Sequence, residues 1–535
     1  MSDKRISQAI ELFNDGQSIR QIASTLHMGR RQLARELKAA GFTVLTTKEK
    51  AEAPSIVAKT LTDPENTIKG IRGKRYVITC ALNNCEIDKD FLASIQVYCK
   101  KNKAQLLVVP VHYKNVSLFS GAYEPWWPSE LDGHWATSDL LLNDNLVLMG
   151  SMRIQATAVN PLSGTAGISC GRSAIYGHPQ GAMGTVPTPM NKLPLVQLTT
   201  LSLSKASYSE TKSGRLGEFA HSVGALIVEV DGEKFWWRHV HAGENGAFID
   251  LDSKYTADGV EKAPPALAVA AGDVHVGFDD KEVVESVFGN RGLVQTVGAK
   301  NVILHDLLDF FSGSHHHERN RVLKVLKEAR GRNSVYSELF SVAEWLSKYT
   351  KEGQTAWVIR SNHSHDHLDK WLNLNSEQVD TKNQWLWHTL NSRHLQEALE
   401  LAERDPSGEV EGWHVTSAFE LAMREFLSED VLTRVRFPDD RNPLEFAEID
   451  CSNHGDKGPN GSRGGGQAYR RVQRKTIVGH SHSPMWTGGC MVVGMCARSD
   501  LPYMSGYSGH LHCMAVIYSD GSRTLIPVIA GKFRG

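Results

Sequence analysis

The chain has 535 residues, 41% hydrophobic and 22% charged, which is too long for one hydrophobic core and points to about two to four globular domains. Lys and Arg number 59 against 60 Asp and Glu, a formal net charge of -1, so attraction to nucleic acid by overall charge is excluded and any basic surface must be local. No run of about 18 apolar residues occurs, so no membrane-spanning helix is expected.

The N-terminal stretch "MSDKRISQAIELF" carries no apolar segment of the secretory kind, so no standard export is expected. The eight cysteines form no C-x-x-C pair and lie mostly in apolar segments, the pattern of reduced, buried thiols. Histidine is abundant, at 23, and concentrates after Val240, which draws attention to metal chemistry in the second half.

Residues 1–45 read as three short helices. The first places Ile6, Ile10 and Phe13 on one face; the second opens on Ser18 and buries Ile19, Ile22 and Leu26; the third, "GRRQLARELKAAGF", stops at Gly41. Two helices across a short turn, the last one basic, make a helix-turn-helix pattern. Arg30, Arg31 and Arg35 are its candidate DNA contacts, and a small helical docking module is the alternative. Residues 46–72 are charged, Pro-interrupted and aperiodic, and read as a linker.

Residues 73–260 form a small α/β unit. "RYVITCAL", "DKDFLASIQVYCKKN" and "QLLVVPVHY" give a β-α-β unit, and "ALIVEVDGEKFWWRHVHA" a hairpin turning at Asp231-Gly232. The Gly-rich run "GTAGISCGRSAIYGHPQGAMG" lacks the lysine of a phosphate-cradling loop and reads as ordinary loop.

From residue 266 to 535, apolar strands alternate with helices, an α/β pattern. Polar clusters follow the strands: Asp273 and His275 after "ALAVAAG", Asp306 and Asp309 in "NVILHDLLDFF", Asn362, His363 and Asp366 in "AWVIRSNHSHDHL", His454 in "FAEIDCSNHGDKG", and His480 and His482 in "KTIVGHSHSP". Ligands of open α/β sheets bind at the carboxyl ends of strands, so convergence of these clusters would build one metal site. The two-residue spacing of Asp273 and His275 keeps both on one side of an extended chain. Two readings stand for Asp309, a site residue or the cap of the following segment.

The order D-x-H, D-x-x-D, N-H, H, G-H-x-H resembles the calcineurin-like metallophosphoesterase superfamily over residues 266–535. The resemblance implies an α/β fold, a metallophosphoesterase β-sandwich flanked by helices, here preceded by the small α/β domain and the helix-turn-helix. Carried over by position, it implies that Asp273, His275 and His482 hold one divalent ion, that Asn362, His454 and His480 hold a second, and that Asp306 bridges them. His363 would protonate the leaving oxygen, with Asp366 or a carboxylate from elsewhere holding its other nitrogen. Mixed O/N ligation suits Mn²⁺, the ion the resemblance favours, with Fe, Zn²⁺ or Mg²⁺ as alternatives. Such a pair clamps an in-line displacement at phosphorus.

This sequence departs from the superfamily in two places: His305 stands where a glycine usually precedes the bridging Asp, and "SNHSHD" replaces G-N-H-[DE]. Between them, "SGSHHHERN" offers His316 and His317 as contacts to substrate phosphate or DNA, and the Gly-rich basic loop after His454 offers Lys457 and Arg463. Trp385 and Trp387, in a helical insertion, are expected to pack in the core. His510 and His512 imitate the G-H-x-H motif, but the pair after "TIVG" is preferred as ligands.

The overall layout resembles the early nucleases of tailed phages, which degrade host DNA and assist stepwise genome transfer. That implies a metal-dependent deoxyribonuclease acting in the cytoplasm of a host cell, with DNA as partner and a homo-oligomeric state. Two alternatives are a nucleotidase or phosphomonoesterase of small substrates and a catalytically silent DNA-binding scaffold.

Overall fold

The computed structural model describes residues 3–14, 19–40, 63–113, 125–189, 192–317, 319–404, 415–438, 443–501 and 506–535. They fall into two compact units, one built on the N-terminal helices and one running from residue 63 to the C-terminus.

The N-terminal unit has helices Asp3–Asn14, Ile19–Thr25 and Arg30–Ala39. Ala9, Ile22, Ala23, Leu26, Leu33 and Leu37 form its core, with Ile10 packed beside them. Ile22 and Leu26, like Leu33 and Leu37, are four apart and share a helix face, as the periodicity requires. Arg30 and Arg35 are exposed. The side chains of Phe13, Ile19 and Arg31, and residues 46–62 of the expected linker, lie outside the described residues. The end of that linker is packed rather than free: Ile68 donates its N–H to Trp135 and leans on the core of the larger unit.

In the larger unit the expected β-α-β element forms, with strands Arg75–Leu82 and Gln105–Val111 parallel around helix Lys89–Asn102. Asp88 caps that helix, accepting from the Phe91 N–H at 2.9 Å. The hairpin Gly224–Asp231 with Lys234–His241 completes a four-stranded sheet.

A six-stranded sheet carries four parallel strands, Ala268–Ala270, Asn301–Leu304, Thr355–Val358 and Val435–Arg436. The antiparallel hairpin Cys513–Ile517 and Arg523–Pro527 closes one edge. Strand alternation sends Val269, Val302 and Leu304 to one face, against helices Lys281–Phe288 and Val335–Tyr349. The other face sends Ala268, Ala270 and Ile303 into a second core shared with Tyr76, Ile78, Ile477 and Met491.

Ile477 and Met491 belong to a ten-stranded sheet that runs from Glu445–Phe446 at one edge to Asp139–Asn143 at the other. The fold is thus mixed α/β with several sheets. The expected boundary at residues 260–266 is not a break between cores. Strands on both of its sides share this ten-stranded sheet, and residues on both sides share one core.

Helix Thr381–Arg404 spans the expected insertion. Trp387 packs on the core and donates its Nε1–H to the Trp371 carbonyl at 3.2 Å, whereas Trp385 is 65% exposed, contrary to its expected burial. It falls on the outer face of the helix, one residue from the buried Leu386.

Candidate metal centre

The site lies where strands of both large sheets end. Ala268–Ala270 delivers Asp273 and His275, Asn301–Leu304 delivers Asp306, and Thr355–Val358 leads to Asn362 and His363. Ile449–Asp450 and Lys475–Val478, from the ten-stranded sheet, lead to His454 and to His480 and His482.

Four of these residues have left-handed backbone: His275 (φ 49°), Asp306 (φ 39°), His480 (φ 72°) and His482 (φ 55°). Non-glycine residues rarely adopt this conformation, and its cost is typically met by tertiary contacts at functional positions. His275, Asp306 and His482 carry donor atoms of the pocket, while His480 brings its backbone N–H to Asp273. Gly479 allows the closest approach: a Cβ there would stand 2.5 Å from Asp273 Oδ1 and 3.0 Å from the His305 ring.

Three overlapping donor groups result. Asp273, His275 and His482 offer ligand atoms within 4.8 Å of one another, as do Asp273, Asp306 and His454, and likewise His275, Asp309 and His363. His482 Nε2 is 3.1 Å from Asp273 Oδ2 and 3.2 Å from His275 Nε2. His454 Nε2 is 3.0 Å from Asp306 Oδ2. Asp273 is shared by the first two of these groups and His275 by the first and third, while Asp306 belongs to the group of His454. The half-buried His480 donates its backbone N–H to both Asp273 oxygens, at 3.0 and 3.2 Å, and its ring lies 5.3 Å from that of His454.

Asp273 and Asp306 are at most 2% exposed, and their ion-pair partners among the described residues are imidazoles. Burial opposes the charge of both carboxylates, yet the imidazoles, His454 foremost, hold both below the ordinary carboxylate range. Burial likewise opposes a proton on His454, while Asp306 and Asp273 hold it up at about 9. Buried carboxylates facing imidazole nitrogens are the donor chemistry of a divalent transition-metal site. Asn362 fits the same chemistry: its Oδ1 is buried without a hydrogen-bond partner, an orphan acceptor that a cation would satisfy.

The run "NHSHDH" folds as a π-helical turn, Asn362–His367. The His363 N–H donates to Asp306 Oδ1 at 3.2 Å, and its Nδ1 is 2.8 Å from the Asp309 carbonyl. Asp366 does not fill the place expected for it. Its carboxylate faces Arg360 at 3.2 Å and Lys457 at 2.8 Å, because the wide turn swings it towards the exposed side. Lys457 is thereby engaged in an ion pair, and Arg463, opposite it in the same loop, is exposed. His316 is exposed beside His315, whereas His317 turns away to pack on Phe311, ring centroids 5.0 Å apart. His512 also turns away, to the Ala497 carbonyl at 2.9 Å, which leaves the donor groups with His482.

Three further residues stand against these donors. Asp309, 3% exposed, brings Oδ2 to 2.9 Å from His275 Nδ1, which accords with the first of the two readings open for it. His305 is wholly buried with Nδ1 3.4 Å from His454 Nδ1. Burial first, then His454, pushes its pKa down to about 4, so it is a neutral imidazole behind that of His454. His367 packs against His363 with ring centroids 4.6 Å apart. The D-x-x-D spacing was the one available signal for Asp309; the other two had none.

No protein-family model matches the chain, and no solved structure matches it. The chain is similar to Protein A1 of Escherichia phage T5, with 29% identity over 505 residues that cover 91% of this chain and 86% of that protein.

Proposed function

We propose that this chain is a two-metal phosphodiesterase of the calcineurin-like type that cleaves DNA, in the manner of an early phage nuclease. The observation that carries the reading is the meeting of Asp273, His275, Asp306, His454 and His482, from distant parts of the sequence, in one buried pocket; the buried Oδ1 of Asn362, the residue before His363, has no hydrogen-bond partner. Two sheets packed face to face, with helices outside one of them and all donors at strand ends, suit the metallophosphoesterase arrangement. The likeness to a phage protein supports a phage origin, and with it action inside a host cell.

In this reading Asp273, His275 and His482 would hold one ion and Asn362, His454 and His480 the other, with Asp306 serving both. When bound, the pair, Mn²⁺ by preference, supplies Lewis acidity and lowers the pKa of water. The protein's own groups do the rest. Asp309 orients His275 through Nδ1, so its Nε2 faces the pocket. His305 backs His454 in the same way. A carbonyl accepts only, so the hydrogen bond to Asp309 places a proton on Nδ1 of His363 and makes Nε2 the atom that delivers a proton to the departing oxygen. Arg30 and Arg35, exposed on the third N-terminal helix, support DNA over small substrates.

The deciding experiment incubates the protein and Mn²⁺ with plasmid, linear and single-stranded DNA, beside p-nitrophenyl phosphate and deoxynucleoside monophosphates. Metal-dependent DNA cleavage is expected. Turnover of the monoesters alone would establish the phosphomonoesterase instead, and no turnover of any substrate the silent scaffold.

A further inference from the structure

Outside these overlapping donor groups, a separate cluster is built from His315, His316 and His367. The first two belong to a single 3₁₀ turn, His315–His317, and the third ends the π-helical turn Asn362–His367. Their ligand nitrogens all lie within 4.8 Å of one another. The rings crowd together, with centroids 3.9 Å apart for His315 and His316, 4.9 Å for His315 and His367, and 5.3 Å for His316 and His367.

His367 is 6% exposed, and its Nδ1 is buried without a hydrogen-bond partner. A buried ring nitrogen with no partner is costly, and three imidazoles brought so close gain little from one another without a cation between them. We propose that His315, His316 and His367 form a third cation site, separate from the dinuclear centre and selective for Zn²⁺ or a similar imidazole-preferring ion.

The donor set differs in kind from that of the dinuclear pocket. Three nitrogens and no carboxylate favour Zn²⁺ or Co²⁺ over Mn²⁺ or Mg²⁺. Three protein ligands also leave a tetrahedral ion one position for an oxygen ligand. With His363 only 4.6 Å from His367, an oxygen of the phosphodiester engaged at the neighbouring centre has the matching chemistry. That last assignment rests on the proposed function; the metal site itself does not.

The test counts Zn²⁺ bound per full-length chain by equilibrium dialysis and elemental analysis, in wild type, H316A, H367A and D306A. His316 is exposed, so H316A opens no hole in the buried packing, as H367A does. H316A is expected to hold one Zn²⁺ fewer than wild type, and H316A combined with D306A one fewer than D306A alone. The same substitution should remove the visible absorption of Co²⁺ in a tetrahedral nitrogen site, measured in the D306A background. Equal Zn²⁺ counts with and without His316 in both backgrounds would overturn the third site. Unchanged counts on D306A alone would instead count against the dinuclear centre, so the two failures are read separately.

Discussion

Asp309 Oδ2 and His275 Nδ1 stand 2.9 Å apart, both side chains almost wholly buried. The pair fixes the ring so that Nε2 points at His482, 3.2 Å away, inside the candidate metal pocket. Partners of this kind orient a metal ligand and raise its basicity, and their removal typically lowers affinity about 10–100-fold. D309N is therefore expected to weaken Mn²⁺ binding by about that factor while leaving the circular dichroism spectrum unchanged. Isothermal titration of the metal-free protein measures it, and wild-type affinity in D309N would count against an orienting role.

Asp306 meets His454 Nε2 at 3.0 Å and accepts from the His363 N–H at 3.2 Å. D306A should abolish DNA cleavage with the fold intact. D306A protein that still cuts DNA would remove this residue from its bridging place.

His363 and Asp366 should separate cleanly. H363A is expected to keep its metal and lose about 10²–10⁴-fold in cleavage rate, the usual contribution of a positioned acid. D366N should cleave at close to the wild-type rate, since that carboxylate faces Arg360 and Lys457 in a half-exposed cluster of modest worth. A comparable loss in both variants would restore Asp366 as the partner of His363.

Gly479 has no room for a side chain. G479A would press a methyl group to 2.5 Å from Asp273 Oδ1, so the carboxylate or the backbone must shift. The expected result is weaker metal binding and a loss of about 1–3 kcal/mol in stability, read by dialysis and by denaturant unfolding.

Three histidines away from the metal pocket set an acid limit on the fold. Burial, the largest cause for each, pushes His178 and His239 down to about 4 and His241 to about 3. A folded-state pKa below the unfolded value near 6.5 means that the unfolded chain takes up protons first. Their stabilising contribution is complete above about pH 6.5 and is lost as the pH falls towards 4 and then 3. In metal-free protein His454 acts in the opposite sense, its contribution present below about 6.5 and lost as the pH rises through about 9. Denaturant unfolding of metal-free protein across this range should show a maximum between the two limits.

Much of the site was legible because each donor follows an apolar strand, and strand ends are where such sheets bind ligands. Asp273, Asp306, His454 and the His480–His482 pair could be placed on that ground alone. The left-handed turns at Asp306 and His480 could not, since tertiary packing imposes them against local preference. Asp366 was misplaced for a related reason. The Asp366 N–H reaches back to the Ser361 carbonyl at 3.4 Å, and this wider winding changes which side chains of "SNHSHDH" face the pocket. It brings His367, not Asp366, against His363. The boundary expected at 260–266 rests on a Pro-rich turn, and composition cannot show that strands on either side join one sheet.

The most direct test of the dinuclear centre is anomalous diffraction from crystals of the full-length protein soaked in Mn²⁺, recorded at the manganese edge. Two peaks about 3.5–4 Å apart, flanking the Asp306 carboxylate, are the expected result. No peak at Asp306, or a single ion with His454 and His480 turned away from it, would contradict the account.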